Sequence, residues 1–202
     1  MSVLLIKSPK SSLVTAIGGA PRAPHGTKWP TCKTCGGPMQ FLATLHLPEI
    51  APEAGLAGTL LLFQCQNDPG LCYEWDANAG GNKAVLVEYS SASAMHVPEG
   101  PTTLSSTTGI LLEPWIASDD DDLDSYLSAV ASRPEIVGKA GGAPTWLQDA
   151  ETPDCVCGRP MRFVAQIDSG ASDEINFGDG GIGYSFVCSV CPSEAKFLWQ
   201  CL

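Results

Sequence analysis

The chain has 202 residues, 44% hydrophobic and 16% charged, which suits one good core or two small lobes sharing one, and excludes a disordered chain. Its 11 basic and 22 acidic residues leave a formal charge of −11, which disfavours nucleic acid and anionic lipid and suits a basic protein partner. With 21 Gly and 16 Pro, short strands and tight turns are expected over long helices.

The N-terminal "MSVLLIKSPK" holds four consecutive apolar residues, Val3 to Ile6, with no basic residue ahead of them. That is too short for the core of a signal peptide, and no later apolar run is long enough to span a membrane. The expectation is a soluble cytoplasmic protein with no membrane partner. In a reducing compartment its nine cysteines are metal ligands or buried thiols, not a disulfide framework.

Further along, "CGGPMQFLATL" (Cys35 to Leu45) returns 122 residues later as "CGRPMRFVAQI" (Cys157 to Ile167). Gly18 to Pro21 answers to Gly141 to Pro144, "FQC" (Phe63 to Cys65) to "FVC" (Phe186 to Cys188), and "YEW" (Tyr73 to Trp75) to "FLW" (Phe197 to Trp199). The same elements in the same order point to a tandem duplication of a small antiparallel-sheet unit within one compact domain, 1–202. Repeat 1 covers 17–77, a connecting segment 78–138, and repeat 2 139–202. A unit of about sixty residues has a marginal core, so each must be stapled or docked on its twin.

The fold class expected is therefore β-rich α+β. Strands are predicted over 39–47 and 161–167, over "GTLLLFQC" and "GYSFVC", and over 83–89, the last with no counterpart after Leu202. The stretch "SASAMHVPEGPTTLSSTTG" is rich in Ser, Thr, Pro and Gly and is expected to be irregular. One connecting helix is predicted over 119–132, with Ser118 as N-cap and Asp119 to Asp122 in the first turn, where the helix dipole favours anions. Leu123, Tyr126, Leu127 and Val130 form its apolar face, and Pro134 ends it. Residues 113–135 hold 7 acids and 1 base, so the acidity is concentrated here and in the second repeat. Those aspartates either steer a basic partner or cap a helix and aid solubility.

Eight cysteines fall into two sets that match the repeats: Cys32, Cys35, Cys65 and Cys72, then Cys155, Cys157, Cys188 and Cys191. The gaps between the pairs, 36–64 and 158–187, are nearly equal. Zinc takes four tetrahedral thiolates, and a C-x2-C knuckle supplies two from one turn. Gly36, Gly37 and Gly158 let the backbone bend there. Cys155 and Cys157 are separated by one residue, however, and Cys65 and Cys72 by six. Buried apolar thiols are the competing reading, but repeat-matched spacing favours two structural zinc ions, which would staple each unit. Cys201 belongs to neither set.

"GDGGIG", Gly178 to Gly183, has the letters of a dinucleotide fingerprint, but "YSFVCSVC" follows it where a helix is needed. His25, His46 and His96 form no catalytic spacing. With no nucleophile elbow, P-loop or telling carboxylate pair, the residues do not argue for an enzyme. The alternative kept open is a hydrolase or thiol enzyme using Cys201 or a histidine at the seam between repeats.

The succession "GGAPTWLQ", "CGRPMRFVAQI", "FGDGGIGYSF" resembles the YwqG-like family of bacterial proteins. Its motif order is similar to the core of eukaryotic programmed cell death protein 2. The resemblance covers 139–202 well and 17–75 more loosely. It implies a β-rich, internally duplicated fold and, through the eukaryotic relatives, a non-enzymatic role in escorting a basic ribosomal protein. The expected function is thus zinc-stabilised binding of a basic protein, escort-like or immunity-type.

Overall fold

The chain's first apolar run becomes the middle of a sheet. In the computed structural model, which describes residues 2–9, 14–52, 55–88, 92–116 and 122–202, Leu4, Leu5 and Ile6 are all buried in β1 (Ser2–Ser8). A strand covered on both faces reads as a continuous apolar run, without alternation. The further strands are β2 (Ala16–Gly18), β3 (Arg22–Ala23), β4 (Gln40–His46), β5 (Thr59–Gln64), β6 (Asn82–Val87), β7 (Ser93–Ala94) and β8 (Thr107–Trp115). After them come β9 (Ile136–Ala140), β10 (Arg162–Asp168), β11 (Ile182–Val187) and β12 (Ala195–Gln200). Ten of them make one antiparallel sheet in the order β12-β11-β10-β9-β1-β8-β2-β4-β5-β6, and β3 and β7 form a small separate pair. The sheet curls until its edges, β6 and β12, lie beside each other, so it is nearly closed. Among the described residues no helix is long and apolar enough to cross a membrane.

The centre of the sheet is an exchange. β1 runs into the first half of the chain yet lies between β8 and β9, while β8 leads into the second half yet pairs with β2. The interior core accordingly draws on both halves, joining Leu5, Leu42, Leu60 and Leu62 with Val164, Phe177, Val187 and Phe197. Two smaller clusters pack on the outside of the sheet. One holds Phe41, Phe63, Cys32, Cys65 and Cys72; the other holds Phe163, Phe186, Tyr184, Cys155 and Cys188.

The two halves share local detail. The β4–β5 ladder shifts register between Phe41 and Ala43, and the β10–β11 ladder between Phe163 and Ala165, 122 residues on. Strands predicted over 39–47 and 161–167 are β4 and β10, and the two cysteine-ended runs are β5 and β11. The strand predicted over 83–89 is β6; Tyr89 lies outside the described residues. It does have a counterpart: β6 pairs with β5 as β12 pairs with β11. The equation of Tyr73–Trp75 with Phe197–Trp199 is corrected by this, because residues 73–75 lie in the loop between β5 and β6 and 197–199 in β12. The stretch expected to be irregular contains β7 and the start of β8. β8 hides from pattern reading because it carries Pro114. Among the described residues β8 pairs with β2 only over 107–109, and Pro114 lies past the end of that ladder, opposite Val3 of β1, where a strand proline is tolerated.

Two α-helices and one short 3-10 helix (Ser169–Ala171) are described. α1 (Leu47–Ile50) buries Leu47 and Ile50, and α2 (Leu123–Ser132) connects β8 to β9. α2 begins later than the predicted 119–132. Asp122, not Ser118, is the cap, its carboxylate accepting from Asp124 N at 3.1 Å and from Ser125 Oγ; Ser118 and Asp119 to Asp121 lie outside the described residues. Nor is the apolar face uniformly buried: Leu127 is 38% exposed, and Tyr126 alone is fully buried. Tyr126 Oη donates to both oxygens of Asp168, at 2.8 and 2.9 Å, tying the helix to β10.

Burial pushes the Asp168 carboxyl up to about 7, against the pull of the Tyr126 hydrogen bond. Between about pH 4 and 7 the folded chain keeps a proton there that the unfolded chain has released, so this group's contribution to stability falls as pH rises through that window. Asp168→Asn removes that dependence. We expect the variant to gain on the parent between pH 5 and 7, by up to about 1.4 kcal/mol per pH unit in urea titrations. Parallel stability curves would contradict this.

Candidate metal centres

Each four-cysteine set is assembled from a tight turn before one strand and the loop after the next. In the first, Thr31 and Pro38 pair across the turn, Cys32 N donates to Gly37 O at 2.8 Å, and Gly36 N to Cys32 O at 2.9 Å. Gly36 takes φ 74°, a left-handed conformation that costs glycine little. Cys65 follows β5, its amide bound to Gly81 O at 2.8 Å, and Cys72 lies in the long loop 66–81. In the second, Asp154 pairs with Pro160, Cys155 N donates to Arg159 O at 2.8 Å, and Gly158 takes φ 77°. Cys188 follows β11 with its amide on Glu194 O at 2.9 Å, and the loop carrying Cys191 spans only 189–194. The missing residue between Cys155 and Cys157 therefore leaves the turn intact.

The sulfur geometry is that of ligands. Within each set all four Sγ atoms lie within 4.8 Å of one another. Cys35 Sγ and Cys65 Sγ are 3.7 Å apart, and Cys157 Sγ and Cys188 Sγ 3.8 Å. Metal–thiolate bonds of about 2.3 Å in a tetrahedron put neighbouring sulfurs about 3.8 Å apart, whereas a disulfide brings them to about 2.05 Å. All nine cysteines are free thiols. Both sets can hold a metal ion, and among the described residues no other group of three or more His, Cys, Asp or Glu can.

Backbone amides already favour the thiolate form at one sulfur in each set. Cys191 N and Val190 N donate to Cys188 Sγ at 3.3 and 3.4 Å and lower its pKa to about 6. The Gly37 amide lowers Cys35 to about 7, helped by Asn67 Nδ2, 3.3 Å from its sulfur. Burial pushes the Cys65 and Cys72 thiols up. The sulfurs of Cys157 and Cys155 push Cys191 up to about 12. A bound cation relieves both penalties at once, because it repays desolvation and cancels the repulsion among the sulfurs.

The remaining candidates do not converge. His46 Nδ1 lies 3.3 Å from Thr59 Oγ1, while His25 and His96 line a cavity of about 260 Å³ by the β3–β7 pair. Cys201 is half-buried, and its sulfur would lie 3.0 Å from a Cβ added at Gly178. "GDGGIG" is a turn leading into β11, as its sequence context implies.

Pattern reading missed what the long loop of the first set does. Asn82 Nδ2 holds it through Glu74 O at 2.8 Å and Asp76 O at 3.1 Å. It then reaches the opposite edge of the sheet, where Trp75 O accepts from Trp199 N at 3.2 Å and the two indoles meet edge to face. Asn78 Oδ1 accepts from Lys196 Nζ. This loop clasps β12 beside β6. The only trace in the sequence is the six-residue interval between Cys65 and Cys72.

A family described as "Domain of unknown function (DUF1963)" matches residues 15–135, more than half of the chain. The chain is also 33% identical over 188 residues to "Uncharacterized protein YpfL" of Salmonella typhimurium strain LT2. That alignment takes in 84% of this chain and 39% of the relative, so the chain spans well under half of that protein's length.

Because Cys72 anchors the clasp and Cys191 does not, their replacement separates the two centres. In Cys72→Ser we expect the Trp199 amide to exchange with solvent at least about tenfold faster and tryptophan emission to shift to the red. Cys191→Ser leaves the Trp75–Trp199 contact in place. Equal protection of Trp199 in both variants would rule out the clasp.

Proposed function

The chain belongs to the DUF1963 family, and we propose that it is a non-enzymatic protein-binding protein stabilised by two structural zinc ions. The observation that carries this reading is the donor set. Each centre offers four thiol sulfurs at the spacing of a tetrahedral ion. A structural zinc site has all four positions filled by protein, whereas a catalytic one keeps a position open for water or substrate. Cys32, Cys35, Cys65 and Cys72 hold one ion; Cys155, Cys157, Cys188 and Cys191 hold the other. We read the halves as a duplicated unit, a reading supported by the matched bulges and turns.

The partner we propose is a basic protein, in an escort-like or immunity-type role inside the cell. Asp149, Glu151, Asp154, Asp173, Glu174 and Asp179 are all exposed, so most of the second half's acids face solvent. Two zinc ions on eight thiolates would move the formal charge from −11 to −15. The likeness in motif order to the core of programmed cell death protein 2 points the same way. Charge so distributed speeds encounter with a basic surface and loses effect as the screening length shortens from about 10 Å at 0.1 M salt to about 3 Å at 1 M.

Purified from cells, the chain should carry two zinc ions, and a strong chelator should unfold both halves in one transition. For a basic partner recovered from host lysate, the association rate should fall by about tenfold or more between low and physiological salt. It should also fall in a variant with Asp119 to Asp122 changed to Asn. An association rate indifferent to salt and to those changes leaves the acidic segment as a helix cap and removes the case for a basic partner.

A further inference from the structure

We infer that the cavity beside the first cysteine centre binds a small organic anion, a phosphate, sulfonate or carboxylate carried on an aromatic or apolar body. The cavity has a volume of about 480 Å³, and its lining includes Lys28, Trp29, Lys33, Met39, Lys83 and Val85. Sites for small molecules run from about 300 to 1,000 Å³ and combine apolar walls with a few convergent polar groups. Three of the chain's 11 cationic side chains meet here, in a protein whose net charge is −11. All three are exposed, and none of their ammonium groups has a hydrogen bond or ion pair among the described residues. Trp29 supplies an apolar wall. Its Nε1 donates to Met39 O at 2.8 Å and its ring meets Phe63 edge-on at 5.3 Å, so the indole is fixed with its one donor already used.

The second half supplies an internal comparison. Met39 N donates to Pro30 O and Met161 N to Pro153 O, which places the residues around the two prolines alike. A cavity of about 460 Å³ lies there too, lined by Glu151, Thr152, Asp154, Lys196 and Leu198 among others. Glu151 stands where the first half has Lys28, Thr152 where it has Trp29, and Asp154 where it has Thr31. Lys196, in the place of Lys83, is engaged by Asn78 Oδ1. The same backbone is thus built with acids and no tryptophan there, and the fold does not require Lys28 or Lys33. Nor does a cysteine centre require them as counter-charges: the residue after Cys32 is Lys33, but the residue after Cys155 is Val156.

The test is calorimetric titration of the metal-loaded full chain with naphthalene sulfonate at low ionic strength, against neutral naphthyl methanol and inorganic phosphate. We expect one site per chain, with the sulfonate bound at least about tenfold more tightly than either half-probe. Lys28→Gln with Lys83→Gln should weaken it by about tenfold while metal content stays at the parent level. Glu151→Gln with Asp154→Asn should leave it unchanged. The inference is overturned if the alcohol or phosphate binds as tightly as the sulfonate, or if the lysine pair is without effect. It is equally overturned if that pair loses metal, which would make the lysines partners of the thiolates.

Discussion

Four sulfurs crowded within 4.8 Å of one another cannot all carry charge unless a cation sits among them. That constraint shapes what surrounds each centre. The amides of Val190 and Cys191 aim at Cys188, the Gly36 and Gly158 turns fold the first pair of thiols inward, and aromatic clusters bury the sulfurs on one side. Without an ion, Cys72 and Cys191 are held as neutral thiols by burial and by neighbouring sulfur. With one, the loops after β5 and β11 become fixed parts of the fold.

The consequences of fixing the two loops differ. The loop after β11 closes on itself within six residues, 189–194, and stabilises its own half. The loop after β5 extends to the far edge of the sheet and holds β12 through Trp75 and Asn78. The exchange of β1 and β8 at the middle of the sheet joins the halves a second time. A ten-stranded curled sheet thus has its halves tied both at its centre and at its seam, and neither half has a complete core of its own.

How much of this the sequence revealed depended on how local the signal was. Cysteine turns are short, and their spacing disclosed all eight residues that the structure brings together. Strands such as β4 and β10 alternate clearly and were legible. β1 and β8 were not, for opposite reasons: an apolar run in which Leu4, Leu5 and Ile6 are all buried shows no period, and Pro114 argues against a strand until its place in the sheet is known. The helix boundary moved because any of Ser118 to Asp122 can serve as a cap, and the choice rests on which carboxylate meets Asp124 N. Trp75 and Trp199 are not equivalents of one another. They are in fact partners across the seam, a relation that no comparison of spacing within one chain contains.

The most direct measurement of the account is X-ray absorption at the zinc edge of the purified protein, with metal content determined on the same sample. Two zinc ions per chain are expected, each with a shell of four sulfurs at about 2.3 Å and no lighter atom. A shell containing oxygen or nitrogen, or a folded protein free of metal, would contradict it.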